Sequence, residues 1–292
     1  MSGDITVIMG PTASGKSALA LRLAAESGGE IVSADSMQLY RDLPIGTAQP
    51  TPEERARVPH HLVGIYDLSE RAEVYRYCAL ADAAVAEIRR RGKPVIVCGG
   101  TGLYLRALLY GLDDLPADRE LRRELDETYD SPEGEVLLLE RMAALDPAAF
   151  ARWKNCRRRL IRALEVRLLT GRSIMDLQQG SRPLRYPDAT VWRLDPPPET
   201  LKQKIARRAE NMLRNGWIDE ARRAIANGLF STPTAHQALG YRQIADYLDG
   251  RFSREKLLSS ICTATWQYAR RQRTWFRHQH PEARVLEADT LP

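Results

Sequence analysis

The chain has 292 residues, of which 43% are hydrophobic and 28% charged, a composition typical of a soluble globular protein. No apolar run is long enough to span a bilayer, and the N-terminus lacks the basic start and apolar stretch of a signal peptide. We therefore expect a cytoplasmic protein with no membrane partner. Four scattered cysteines indicate neither a zinc site nor a disulfide framework. The net charge of +5 permits a nucleic-acid partner without requiring one.

A phosphate-binding loop is the first motif along the chain. The sequence matches the pattern G-x-x-x-x-G-K-[ST], between an apolar run at 5–9 that predicts a buried strand and a stretch at 17–25 that predicts a helix. Such a loop binds a di- or triphosphate through backbone N–H groups, the helix dipole, the lysine charge and a magnesium ion on the serine hydroxyl. The candidate residues are Gly10, Pro11, Thr12, Ala13, Ser14, Gly15, Lys16 and Ser17, with Ser17 as the metal ligand.

Apolar strands then alternate with helices, which predicts an α/β fold with a doubly wound parallel sheet. Further strands are expected at 30–34, within 57–66, at 94–98, at 190–194 and, as an edge strand, at 284–286, with helices at 74–91 and from about 103. Between these parts the strand signals vanish and the charge rises. We therefore predict a P-loop catalytic core at 1–112 and 190–292 and a helical insertion domain at 113–189.

Two strand ends carry candidate chemistry, because ligands of parallel α/β sheets gather at the carboxyl ends of the strands. Asp35 follows the second strand and can hold magnesium, act as a general base, or simply cap a turn. Thr101 lies in the turn Gly99-Gly-Thr-Gly102, which is equally compatible with an ordinary strand-to-helix connection. The strand at 95–98 lacks the metal-binding Asp of many P-loop ATPases, so an ordinary ATP hydrolase is disfavoured.

Basic residues cluster with aromatic residues at 152–159 and again at 268–278. Arginine neutralises backbone phosphates and aromatic faces stack on unpaired bases, so the clusters suit RNA. Each cluster alone also fits a solvated helix face with core aromatics. Together with a nucleotide-like phosphate site, the pair favours an RNA partner.

The motifs as an ordered set resemble the tRNA dimethylallyltransferase (tRNA isopentenyltransferase) family. The matching stretches run through nearly the whole chain: Gly10–Ser17, Ser33–Tyr40, Ile45–Ala48, Pro59–Leu62, Gly99–Tyr104, Arg162–Val166, Gly240–Tyr241 and Tyr268–Arg277. One departure stands at Trp153-Lys-Asn-Cys156, where the family usually reads close to His-Pro-Asn-Asp. This change is expected to alter the start of the following helix or how the insertion meets RNA.

The resemblance implies transfer of a dimethylallyl group from dimethylallyl diphosphate to N6 of the adenosine beside the tRNA anticodon, with release of diphosphate and with Mg²⁺ as cofactor. It implies Asp35 as the base, with Thr101 and Lys16 as further catalytic residues, and Arg208 on the diphosphate. It also implies contacts with the anticodon stem-loop from Asp35, Ser36, Met37, Gln38, Thr101, Arg123, Arg159, Leu160, Ile161, Arg162 and Ala163. A monomer is expected, since it suffices for such an RNA.

Three alternatives stay open from the residues alone. A P-loop small-molecule kinase would have the same phosphate site, although the missing metal Asp and the basic, aromatic C-terminus speak against it. An isopentenyltransferase acting on free adenine nucleotides is the second, against which the arginine-rich insertion favours a polymer. The third is a non-catalytic RNA-binding switch gated by a nucleotide.

Overall fold

The protein is described by a computed structural model covering residues 5–178, 182–280 and 282–286. By its internal contacts the chain divides into two compact units. One comprises the residues up to Gly111 and those from Leu184 onward, and the other spans Leu112–Pro183.

The first unit is built on a six-stranded sheet. Its strands are β1 (Ile5–Met9), β2 (Glu30–Ser33), β3 (His60–His61), β4 (Val95–Gly99), β5 (Thr190–Leu194) and β6 (Arg284–Leu286), in the order β3-β2-β4-β1-β5-β6. Every pairing among the described strands is parallel. This confirms the predicted parallel α/β fold, and the last strand lies at an edge as expected. The strand within 57–66 is shorter than its apolar run, because Leu62 and Gly64 have left-handed backbone conformations that extended chains do not adopt.

Helices connect and cover these strands. In the first unit they are α1 (Lys16–Ser27), α2 (Pro52–Arg57), α3 (Val74–Arg90) and α4 (Gly102–Tyr110), followed after the second unit by α10 (Pro198–Arg214), α11 (Trp217–Ala226), α12 (Tyr241–Leu248) and α13 (Arg254–Gln279). The second unit contains α5 (Arg119–Thr128), α6 (Pro132–Leu145), α7 (Pro147–Trp153), α8 (Arg157–Thr170) and α9 (Ile174–Leu177).

Alternation along the strands produces two cores, one on each face of the sheet. Val7 and Met9 join the core shared with α3 and α4, whereas the intervening Ile8 packs on the other face with Leu19 of α1. A period of two sends neighbouring side chains to opposite faces, and helices bury both. The carboxyl ends of β1, β2 and β4 are thereby held at one rim of the sheet.

The second unit has its own helical core, which includes Leu138, Trp153 and Leu164. Its C-terminal boundary is earlier than the predicted residue 189. Tyr186 donates a hydrogen bond of 2.6 Å from its hydroxyl to Asp82, and Arg185 pairs with the same carboxylate at 2.8 Å. Because Asp82 belongs to α3, these contacts assign the stretch from 184 to 189 to the sheet unit.

A buried carboxylate ties the start of β2 to its neighbours. Glu30 is 1% exposed. Its carboxylate oxygens lie 2.7 Å from His61 Nε2, 2.8 Å from Arg91 Nη2 and 2.9 Å from Lys93 Nζ. Burial alone would raise the pKa of Glu30, but hydrogen bonds from His61 and Lys93 and the charge of Arg91 outweigh it and lower that pKa.

We expect Glu30→Gln to lower the free energy of unfolding at pH 7 by about 2 kcal/mol, since charge-assisted hydrogen bonds are lost while the cationic partners can still reach water. A lowered folded-state pKa stabilises the native state above the ordinary value of 4.5 and loses that contribution as the pH falls below it. Urea unfolding of both proteins between pH 7 and pH 3 should show the difference shrinking. A difference independent of pH would contradict this role.

Candidate functional site

The glycine loop between β1 and α1 has the geometry of an anion cradle. Gly15 has a φ of +98°, a conformation that side chains other than glycine rarely adopt, and α1 begins at the next residue. Lys16 is 9% exposed, and its Nζ donates to the carbonyl of Pro11 at 3.2 Å, which curls its side chain over the loop. Burial lowers the pKa of Lys16, partly offset by Cys98 and Asp35 nearby. A bound phosphate would relieve that burial cost by pairing with the ammonium.

Cys98 near the end of β4 stands where many P-loop enzymes carry an acidic metal ligand. Burial raises the pKa of its thiol to about 11, so the thiol is uncharged at neutral pH. No negative charge from this strand therefore competes with a phosphate beside Lys16.

Asp35 and Thr101 are brought together at the ends of β2 and β4. The backbone N–H of Ser36 donates to Thr101 Oγ1 at 2.9 Å, and the N–H of Thr101 donates to the carbonyl of Ala34 at 3.1 Å. A Cβ on Gly99 would lie 2.1 Å from that carbonyl oxygen, so only glycine allows this approach. The Asp35 carboxylate accepts the N–H of Met37 at 3.0 Å through Oδ1. Oδ2 accepts no hydrogen bond from the described residues, so this oxygen is available to a ligand.

Gln272 of α13 joins the two loops, a role that its local sequence does not indicate. Its Oε1 accepts the N–H of Thr12 at 2.8 Å, and its Nε2 donates to the carbonyl of Gly100 at 2.7 Å. The residue falls within the arginine-rich motif at 268–277, which pointed to an RNA surface rather than to the interior. The P-loop and the Thr101 turn are thus held by one buried amide.

Two cavities meet beside Asp35, both within the sheet unit. The first, of about 530 Å³, contains the P-loop residues Gly15, Lys16 and Ser17. The second, of about 310 Å³, is lined by Ser36 and Met37 together with apolar and aromatic side chains: Ile205, Ala209, Met212, Trp217, Leu239, Ile261 and Tyr268. Both volumes are in the range of small-molecule sites.

Four residues line both cavities: Thr12, Asp35, Thr47 and Arg208. Arg208 donates a hydrogen bond to the hydroxyl of Thr12. Arg208 therefore lies against the P-loop, and its contact with a phosphate stays a prediction. A molecule with an anionic head in the first cavity could meet a second molecule at the Asp35 wall.

Gln38 lies in the first cavity, but its amide is already engaged. Nε2 donates to the carbonyls of Thr47 at 3.2 Å and Ala48 at 2.8 Å, and Oε1 accepts the hydroxyl of Ser33 at 2.9 Å. Both amide protons are therefore used within the protein. Of the predicted nucleoside contacts from this segment, Ser36 and Met37 face the second cavity.

The residues of the helical unit that were predicted to contact RNA fall into a buried group and a more exposed group. Leu160, Ile161 and Ala163 are at most 1% exposed and form part of that unit's core, so their side chains cannot contact RNA. The predicted RNA contact is therefore wrong for these three side chains, which instead pack α8 into the core of the helical unit. Arg162 is half-buried and pairs with Glu165 at 2.7 Å. Arg159 is exposed, as is Arg123, which pairs with Glu120 and Glu127 along its own helix.

The C-terminal basic cluster is divided between the surface, where Arg270, Arg271, Arg277 and His278 are exposed, and the interior. Arg273 and Arg277 both pair with Asp195, which directly follows β5, at 2.6 and 2.7 Å. Phe276 is fully buried, and the Trp275 ring occupies the space that a Cβ on Gly102 would need. This cluster anchors α13 to the sheet.

Within the described ranges, no group of three or more His, Cys, Asp or Glu side chains is placed to hold a metal ion. Mg²⁺ in phosphate sites is commonly bound by one or two protein oxygens plus substrate phosphates. Ser17, exposed in the first cavity, fits that pattern. Among the same residues no helix is both long and apolar enough to cross a membrane.

Comparison with known proteins agrees with this geometry. The IPP transferase family model matches residues 38–279, and the isopentenyl transferase model matches residues 3–61. The chain belongs to the tRNA dimethylallyltransferase family. Curated members from a Caulobacter species and from Geobacter metallireducens are both 45% identical to it. They cover 97% and 94% of this chain, which in turn covers 92% and 89% of their lengths.

Solved structures of transferases give the same assignment. A tRNA isopentenylpyrophosphate transferase from Bacillus halodurans is 36% identical with a TM-score of 0.70, the match covering 97% of this chain and 89% of that one. A eukaryotic dimethylallyltransferase acting on tRNA is 29% identical with a TM-score of 0.81, over 97% and 73% of the two chains. Among the described residues the family fold thus brings the P-loop, Asp35 and Thr101 to one rim.

Proposed function

We propose that this protein transfers the dimethylallyl group of dimethylallyl diphosphate to N6 of the adenosine next to the anticodon of tRNA, releasing diphosphate. The observation that carries the proposal is the shared wall. Asp35 and Arg208 stand between a phosphate-binding cavity and a second cavity lined by Ser36 and Met37. The diphosphate occupies the first cavity and the adenine enters the second, so the reacting atoms meet beside the carboxylate.

The chemistry follows from that placement. N6 of adenine is a weak nucleophile because its lone pair is delocalised into the ring. As N6 bonds to C1 of the dimethylallyl group, the C1–O bond breaks and its electrons leave with the diphosphate. Lys16 and Arg208 stabilise the charge that develops on the leaving oxygen. Asp35 takes the proton from N6. Thr101 holds the Asp35 turn through Ser36.

Magnesium would be held by Ser17 together with oxygens of the diphosphate, and it would supply further charge neutralisation on the leaving group. The protein's own cations Lys16 and Arg208 line the same cavity and would share that neutralisation.

The start of α8 supports the RNA partner. The exposed Arg158 and Arg159 follow Cys156, which is the N-terminal cap residue of the helix and makes no side-chain capping hydrogen bond to the described first turn. Free N–H groups and arginines at a helix N-terminus attract phosphate. The same residues repel one another without an anion, since cations are unfavourable at the positive end of the helix dipole. We propose that the anticodon stem-loop supplies that anion.

The variant Cys156→Asp tests this assignment. An aspartate at the cap would accept first-turn N–H groups and offset the arginines, raising the free energy of unfolding by about 1 kcal/mol. Aspartate is also the residue that the resemblance leads us to expect here, so the cysteine would let this protein bind tRNA more tightly than the usual residue does, and we expect the variant to bind tRNA several-fold more weakly. Thermal melting and tRNA titration measure the two effects, and Cys156→Ser is the uncharged control. Stabilisation with unchanged RNA affinity would remove this helix start from the RNA interface.

The function itself is tested by incubating the protein with Mg²⁺, dimethylallyl diphosphate and unmodified tRNA, then weighing the nucleosides and nuclease fragments of the RNA. We expect one adenosine per tRNA, next to the anticodon, to gain one dimethylallyl group. Phosphoryl transfer from ATP without RNA would identify a kinase instead. Prenylation of free adenine nucleotides in preference to tRNA would identify the nucleotide-dependent enzyme, and ATP-dependent RNA binding without product would identify a switch.

We further propose that the enzyme works in the cytoplasm as a monomer. One sheet unit holds both cavities, so no second copy is needed to complete the site. Sedimentation of the protein with and without an anticodon stem-loop should show one protein chain per RNA. A dimer that loses activity on dilution would contradict this part of the proposal.

A further inference from the structure

A buried carboxylate outside both cavities holds a wall of the site. Glu220 of α11 is 2% exposed. Its Oε2 accepts the N–H of Ile45 at 2.7 Å, and its Oε1 accepts the N–H of Gly46 at 2.8 Å and the hydroxyl of Tyr241 at 2.6 Å. Three donors converge on one carboxylate from two distant parts of the chain. The sequence motifs Ile45–Ala48 and Gly240–Tyr241, which the reaction leaves without a role, therefore meet at this residue.

Close packing around this carboxylate restricts the position of the segment 45–48. A Cβ on Gly46 would lie 2.2 Å from Trp217 Nε1 and 2.5 Å from the Tyr241 hydroxyl. A Cβ on Gly240, whose φ is +92°, would lie 2.2 Å from the Trp217 ring. Because both glycines are in contact with the same tryptophan, the segment cannot move toward α11. The Glu220 hydrogen bonds prevent it from moving away.

The held segment reaches the reacting groups through two routes. Gly46 lines the second cavity, and Thr47 lines both cavities beside Asp35. The carbonyls of Thr47 and Ala48 accept both amide protons of Gln38, which follows Ser36 and Met37 in the chain and lines the first cavity. By contrast, the P-loop is held by Gln272 and Arg208, and among the described residues neither side chain hydrogen-bonds to this segment.

We infer that Glu220, with Tyr241, is a positioning residue that sets the 45–48 segment and thereby the acceptor side of the site. The inference rests on the proposed function for the identity of the acceptor. It predicts that the reaction of tRNA depends on Glu220 much more strongly than the binding of diphosphate does, since Gly46 and Thr47 line the second cavity and the P-loop is held separately.

The variant Glu220→Gln keeps the shape and volume but turns one acceptor into a donor, leaving one buried N–H unpaired. We expect kcat/KM for tRNA to fall about tenfold, with the dissociation constant for inorganic diphosphate changed less than about twofold. Asp219→Asn, on the same helix but exposed and paired with Arg222, is the matched control and should leave both unchanged. Tyr241→Phe retains both backbone hydrogen bonds and should lie between them.

Equal losses for tRNA and diphosphate, in proportion to a lowered melting temperature, would make Glu220 a merely structural residue and overturn the inference. So would an unchanged tRNA reaction in Glu220→Gln.

Hydrogen exchange in the unmodified protein gives a second test that needs no variant. The Ile45 and Gly46 amides should be strongly protected, and rapid exchange would show that the carboxylate does not hold them. This test stands even if tRNA is not modified at all, which would refute the proposed function separately.

Discussion

Replacing Asp35 by asparagine is expected to reduce dimethylallyl transfer by about three orders of magnitude, within the range assigned to a general base. An asparagine can still accept the Met37 N–H through its side-chain oxygen, as Oδ1 does now at 3.0 Å. The turn at 35–37 and its bond to Thr101 should therefore persist. What is lost is the oxygen that takes the N6 proton. Single-turnover rates with saturating tRNA and dimethylallyl diphosphate measure the effect on the chemical step.

The controls separate catalysis from docking. Asp42→Asn removes an exposed carboxylate nearby in the chain and should leave the rate unchanged. Affinity for tRNA and the melting temperature of Asp35→Asn should stay close to those of the unmodified protein. If RNA affinity and rate fell by the same factor, Asp35 would be a docking or structural residue instead of the base.

Replacing Lys16 by methionine is expected to have the second largest effect. Methionine retains the buried length but removes the charge that stabilises the leaving diphosphate, which corresponds to a loss of about 10²- to 10³-fold in kcat. The KM for dimethylallyl diphosphate should rise as well, while the KM for tRNA should be unaffected. Lys204→Met, at an exposed position lining the same cavity, is the matched control.

The pH dependence offers an independent check on Lys16. Burial lowers its pKa, so the protonated form that binds diphosphate is lost at a lower pH than for an ordinary lysine. Binding of inorganic diphosphate should therefore weaken as the pH rises toward the alkaline range. Lys16→Met should lack this dependence. Kinetics of Lys16→Met indistinguishable from the unmodified protein would remove the P-loop from the mechanism.

Local sequence patterns predicted much of the sheet unit because its candidate functional residues lie in short, continuous stretches of the chain. The P-loop lies within eight consecutive residues, and apolar runs such as 5–9 and 190–194 became strands with those bounds. Asp35 and Thr101 were identified because parallel strands place their carboxyl ends at one rim. Each of these inferences needed only neighbours in the chain and one rule of topology.

Long-range partners could not be found in this way. Gln272 bonds to Thr12 across 260 positions, and Glu220 bonds to Gly46 across 174. Neither side chain differs in type from those on an exposed helix face. Leu160, Ile161 and Ala163 show the opposite error, because a motif that predicts contact with RNA includes them. They lie beside the surface arginines of α8 in the chain, but their side chains belong to the core. Family motifs mark residues that matter without saying whether they touch a substrate or support one that does.

The most direct measurement is a single turnover with equal amounts of enzyme, dimethylallyl diphosphate and an unmodified anticodon stem-loop, in which released diphosphate and N6-dimethylallyladenosine in the RNA are counted together. We expect one diphosphate released for each N6-dimethylallyladenosine formed, no release without RNA, and formation of both products about a thousandfold more slowly with Asp35→Asn. Release of diphosphate without modification of the RNA, or a phosphorylated product in place of a prenylated adenosine, would contradict the assignment of the two cavities.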